Sequence, residues 1–136
     1  MTQRLGNVSP STSVRVLVVD DLAFMREAIR NALEPAGIGI VGEAHNGREA
    51  LSVYPELRPD VVLLDIAMPV MDGITALERL LQIDRSARVV MCSAMDEQRL
   101  IIRAIQLGAR DFVVKPFRPE RIVSAVQKAS QFREHR

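Results

Sequence analysis

Five short apolar runs alternate with five stretches of helical spacing along this chain, and that alternation leaves few folds open. The runs are Val14 to Val19, Ile38 to Ala44, Val61 to Leu64, Arg88 to Cys92 and Asp111 to Val114. Between the first two, Leu22, Met25, Ile29, Ala32 and Leu33 fall on one helical face, and Pro35 and Gly37 end that helix near Ala36. Asn46 opens a second helix running to about Leu57, and Pro59 breaks the chain after it. Asp72 is an expected cap for a helix over Gly73 to Ile83, and Asp96 for one that Gly108 closes after Leu107. Pro119 opens a last helix that ends near Phe132. Strands alternating with helices predict an α/β fold: a five-stranded parallel, doubly wound sheet of flavodoxin-like order 2-1-3-4-5, covered on both faces by five helices. The run VVLL lacks polar alternation, as a central strand should.

The 136 residues fit one domain, and a hydrophobic share of 48% is enough for a core. Residues 1–13, polar with Pro10, read as a flexible leader, so the ordered domain is expected over 14–136. A net charge of +1 does not suit direct nucleic-acid binding. The basic residues Arg118, Arg121, Lys128, Arg133 and Arg136 read as a solvated helix face. The single cysteine, Cys92, sits in an apolar run and reads as a small buried side chain. No signal peptide and no membrane span are legible, so a soluble cytoplasmic protein is expected.

The chemistry collects at strand ends. Asp20 and Asp21 directly follow the first strand, and Asp65 directly follows the third. In the order 2-1-3-4-5 these strands are adjacent, and ligands bind at their carboxyl ends. Three carboxylates repel one another unless a cation or protons neutralise them, and oxygen ligands at a sheet end suit Mg2+. Capping of the first helix is the competing explanation for Asp20 or Asp21, but it needs one carboxylate and leaves Asp65 unexplained. Ser93 follows the fourth strand and Lys115 the fifth. A hydroxyl and an ammonium beside a carboxylate–metal cluster are what a transferred phosphoryl group requires.

The stretches VLVVDDLAFMR, GEAHNGREAL, PDVVLLDIAMPVMDG, VVMCSAMDE and GARDFVVKPF, in this order, resemble the receiver domains of response regulators, above all those of the single-domain chemotaxis type. The resemblance spans about Val14 to Gln131. It implies that Asp65 is the phosphorylated nucleophile. Asp21 and Asp65 would be direct Mg2+ ligands, Asp20 would act through metal-bound water, and the backbone carbonyl of Ala67 would complete the set. Lys115 would pair with the phosphoryl group, and Ser93 and the amides of Ala67 and Ala94 would hydrogen-bond it. Ser93 and Phe112 would form the switch, and the Lys115–Pro116 bond would be cis. The implied donor is a histidine kinase, and the implied output is phosphorylation-dependent binding to a protein target on the face of helix 4, strand 5 and helix 5. A monomer that dimerises on phosphorylation fits the same picture. The chain would be no enzyme beyond its own phosphorylation and dephosphorylation.

Some positions depart from the commonest pattern of that family. Ala67 and Met95, which border the path of an attacking water, are both apolar, and Phe112 stands where tyrosine is commoner. The fourth helix carries Leu100, Ile101, Ile102, Ala104, Ile105 and Leu107, more apolar surface than one buried face needs. Extra core packing and a partner surface both account for it. His45 and His135 lack neighbours of metal-ligand type and read as solvent-facing.

Other readings remain open from residues alone. The chain ends in QFREHR soon after the fifth helix, which favours a stand-alone module over a receiver cut from a regulator with a DNA-binding or enzymatic output domain. An Mg2+-dependent phosphatase of the haloacid-dehalogenase kind would place its nucleophile in a D-x-D motif after the first strand, where this chain has Asp20-Asp21-Leu22. A flavin module would need a phosphate-binding loop there, and DDLAFMR is acidic.

Overall fold

The β-branched runs pair into one parallel sheet of five strands. A computed structural model describes residues 13–131. Its strands are β1 (Arg15–Val19), β2 (Gly39–Ala44), β3 (Val61–Asp65), β4 (Val89–Ala94) and β5 (Asp111–Lys115). Its helices are α1 (Ala23–Leu33), α2 (Gly47–Leu57), α3 (Gly73–Ile83), α4 (Gln98–Leu107) and α5 (Pro119–Gln131). The order β2-β1-β3-β4-β5 is the expected doubly wound arrangement. Residues 1–12 of the leader, His135, and the ends of the basic series, Arg133 and Arg136, lie outside the described residues, as does Phe132. Among the described residues no helix is long and apolar enough to cross a membrane.

Both faces of the sheet are buried, which explains the unbroken apolar runs. Val16, Val18, Leu63, Val90, Cys92 and Val113 pack on one face beneath Ile29 and Leu33 of α1 and Ile122 and Val126 of α5. Leu17, Val19, Val62, Leu64 and Met91 pack on the other beneath α2, α3 and α4. Successive side chains along a strand point to opposite faces, so each face takes every second residue. Cys92 is 1% exposed, and burial pushes its thiol up to about 12, so it is an inert core residue.

Several local signals act as expected. Asn46 caps α2 by accepting from the Glu49 amide at 2.8 Å, and Asp72 caps α3 by accepting from Thr75 at 2.9 Å. The first helix ends in a 3-10 turn, Glu34–Ala36, closed by Gly37 in the left-handed region, φ 82°. Asp96 does not cap α4. The residue preceding that helix is Glu97, and its carboxylate turns back to accept from the Ala94 amide at 2.8 Å. Strand pairing also runs further than the apolar runs suggest. Asp65 pairs with Cys92, Ser93 with Val114 and Ala94 with Lys115, so Asp65, Ser93 and Lys115 belong to the strands they were expected to follow. The ladder thereby fixes the backbones of three candidate site residues.

On α4, Ile101 and Ala104 are buried, while Leu100, Ile102 and Ile105 are exposed. Core packing accounts for only part of that helix. His45 is exposed, as expected, and pairs with Glu49 at 3.0 Å.

Candidate functional site

The ends of β1, β3, β4 and β5 bring Asp20, Asp65, Ser93 and Lys115 together under the surface, with Asp21 at the rim. Asp20, Asp21 and Asp65 each offer a carboxylate oxygen, all within 4.8 Å of one another, and Asp21 is the least buried of the three. The Lys115 ammonium reaches Asp20 Oδ2 at 2.9 Å and Asp65 Oδ1 at 3.2 Å. Asp20 is therefore a structural hub as well as a candidate ligand. Its Oδ1 also accepts from the Leu22 amide at 3.0 Å, so the helix-entry role weighed from sequence is real but partial.

Electrostatics explain why this group suits a divalent cation. Three carboxylates against one ammonium leave two negative charges uncompensated. Burial pushes Asp65 up to about 6; Lys115 opposes this, and Asp20 and Asp21 add to it. Burial alone would lower the Lys115 ammonium, but its bonds to Asp20 and its proximity to Asp65 outweigh that and raise it. A cation with two charges and a preference for oxygen fits the remaining deficit, and this donor set suits Mg2+.

One further atom points to a missing partner. Ser93 is fully buried, and its hydroxyl has no hydrogen-bond partner among the described residues. A buried hydroxyl normally finds one. Ser93 lies on β4 beside Asp65 and Lys115, so an oxygen delivered to Asp65 is a suitable acceptor.

The loop after β3 is held tightly. The Ile66 amide donates to the Cys92 carbonyl, and the Gly73 amide donates to the Ile66 carbonyl at 2.7 Å, which folds the loop back on the strand. Inside it, Met71 donates to Pro69 across Val70, whose φ is 70°. That three-residue turn is strained, and a β-branched residue is poorly suited to its centre. Ala67 is exposed at the start of this loop. The Lys115–Pro116 bond is cis.

Phe112 is half-buried. It lines an apolar groove of about 400 Å³ together with Ile101, Ile102, Ile105 and Val114. Three features of the site have no counterpart in the sequence reading. Glu97 occupies the Ala94 amide, Val70 adopts a positive φ, and Arg26 bonds the Asp20 carbonyl at 2.6 Å. None leaves a spacing signal, because each acts on backbone.

Comparison with known proteins gives the family. The model of the response regulator receiver domain matches residues 16–127. The chain belongs to that family. This receiver is 50% identical over 117 residues to the chemotaxis protein CheY of Thermotoga maritima, covering 86% of this chain and 98% of the relative. It is 53% identical over 114 residues to CheY of Bacillus subtilis, covering 84% and 95%. Its fold matches the Borrelia burgdorferi structure described as a CheX–CheY–BeF3–Mg2+ complex, with a TM-score of 0.81 at 35% identity, over 85% of the receiver and 87% of that chain.

Proposed function

We propose that this receiver is the phospho-acceptor of a chemotaxis-type two-component system, phosphorylated on Asp65 by a histidine kinase in the cytoplasm. The Asp20–Asp21–Asp65 group, two of its members buried and bridged by Lys115, carries the reading. Asp20, Asp21, Asp65 and the Ala67 carbonyl would hold Mg2+. Bound there, the ion supplies positive charge to the phosphoryl oxygens and lowers the repulsion that a carboxylate nucleophile meets.

The chain's own residues do the rest. An Asp65 oxygen forms the bond to phosphorus while the bond from phosphorus to the donor breaks, and the electron pair leaves with the donor. Lys115 exchanges its Asp65 contact for a phosphoryl oxygen. Ser93 gains the acceptor it lacks, and the Ala67 amide supplies a further donor. The Ala94 amide takes part once Glu97 lets it go. These groups promote only the receiver's own phosphorylation and dephosphorylation, and the output is binding to a protein.

The output surface is the face of α4, β5 and α5. Exposed Ile102 and Ile105 beside the Phe112 groove form an apolar patch of the kind that marks a protein interface. The Borrelia burgdorferi relative is described in a complex with CheX, BeF3 and Mg2+, and that pairing with a protein partner supports an output by protein binding. Movement of Ser93 toward the phosphoryl group, followed by turning of Phe112, is the proposed link.

The experiment is phosphotransfer from a labelled histidine kinase. Label should pass to the receiver in Mg2+ and stay on the kinase when the metal is chelated. Transfer that ignores chelation counts against the metal site. A second expectation concerns lifetime. Ala67 cannot hold a water, and Met95 offers no strong hydrogen bond and is 72% exposed. The receiver therefore gives little help in aligning an attacking water. Ala67→Asn and Met95→Glu should each speed loss of the phosphoryl group after donor removal. Slower loss in both variants would show that steric access controls the rate.

A further inference from the structure

Asp20 has every polar group engaged. Its amide donates to Ala44 of β2 at 3.0 Å, and its carboxylate accepts from Leu22 and from Lys115. Its carbonyl accepts from Arg26 Nη1 at 2.6 Å. The same guanidinium donates from Nε to Glu43 Oε1 at 2.8 Å, and Glu43 is also paired with Arg30. Arg26 is 16% exposed, so this is an ordered, largely covered contact and not a loose surface ion pair. It ties the turn beyond β1 to α1 on one side and to the edge strand β2 on the other.

We propose that Arg26 is a positioning residue for the metal site: clamped by Glu43, it holds the Asp20 carbonyl and thereby sets the turn that aims the Asp21 carboxylate at Asp65. The inference rests on the reading of the three aspartates as an Mg2+ site. Its physical basis is a contrast between neighbours. Asp21, the least buried of the three, forms no ion pair among the described residues, whereas the residue before it is bound at every polar atom. The position of Asp21 is then inherited from Asp20. A guanidinium suits the task because one planar group can serve a carbonyl and a carboxylate together, which an ammonium does poorly.

The sign of the effect separates positioning from charge. Arg26 carries positive charge near a cation site, so removing it should, by Coulomb's law alone, tighten Mg2+ binding. Loss of positioning should weaken it. The test is calorimetric titration of the metal-free receiver with MgCl2, together with melting in EDTA and amide spectra of residues 20–22. Arg26→Met should weaken Mg2+ binding by about tenfold, the scale for residues that orient ligands, and shift the Leu22 amide signal before any metal is added. Arg26→Lys should recover part of the affinity through one bond to the Asp20 carbonyl. Glu43→Gln, which loosens the clamp, should fall between wild type and Arg26→Met while melting close to wild type. Unchanged or tighter binding by Arg26→Met overturns the inference, as does equal weakening in the Lys and Met variants. A wild-type receiver that takes up no Mg2+ overturns the metal reading itself, and this inference with it.

Discussion

Without metal, Asp65→Asn is expected to be more stable than wild type at pH 7.5. Burial, with the nearby Asp20 and Asp21, lifts the Asp65 carboxyl from 3.8 to about 6, although Lys115 pulls the other way. In the unfolded chain the group returns to its ordinary range. Between about pH 4 and 6 the folded state therefore binds more protons than the unfolded state, and stability falls as pH rises. Below about pH 4 the penalty is absent, and above about pH 6 it is complete. For this single group the penalty is on the order of 1–3 kcal/mol after screening by solvent, and Asn at position 65 removes it. Urea unfolding in EDTA from pH 4 to 8 should show the wild type losing stability across that window and the variant following a flatter course. Mg2+ should restore the wild type, because it binds the folded pocket and not the unfolded chain. A variant less stable than wild type at pH 7.5, with the same pH slope, would contradict the proposed cost of the acceptor carboxylate.

Gly73→Ala should be strongly destabilising for a different reason. A β carbon at position 73 would lie 2.2 Å from the Asp65 carbonyl oxygen and 2.6 Å from the Ile66 α carbon. Both are backbone atoms at the end of a paired strand, so neither can swing aside. Alanine favours a helix over glycine by about 1 kcal/mol in a helix interior, and by less at a first turn. Overpacking against fixed atoms costs about 1–3 kcal/mol and occasionally more. The clash wins, and a net loss of about 2 kcal/mol is expected in urea unfolding, together with slower phosphorylation because the Asp65 backbone must shift. Gly42→Ala is the control. There the added carbon would meet Leu57 Cδ1 at 2.5 Å, the far end of a flexible side chain that can move. Equal losses at both positions would show that contact with the acceptor strand is not what sets the cost at Gly73.

The order of elements is readable because both sheet faces are buried and the helices keep their spacing. Asp20, Asp21, Asp65, Ser93 and Lys115 are readable for a related reason: a doubly wound sheet gathers the residues at its strands' carboxyl ends, whatever their distance in sequence. Sequence alone stops β4 and β5 a residue or two short, since Ser93 and Lys115 are polar yet still paired. The start of α4 is obscured because Asp96 and Glu97 are adjacent acids, and only the backbone path shows that Glu97 precedes the helix and bonds Ala94. Arg26 is illegible in principle. It recognises a backbone carbonyl, which every residue has, and a glutamate on the edge strand. The positive φ of Val70 runs against its own side-chain preference and lies inside the loop that the Gly73–Ile66 hydrogen bond closes.

The most direct measurement is the intact mass of the receiver after incubation with acetyl phosphate and Mg2+. The account predicts one added phosphoryl group on wild type, and none on Asp65→Asn or on wild type in EDTA. An unchanged wild-type mass under conditions that label another receiver, or a phosphoryl group that persists in Asp65→Asn, would contradict it.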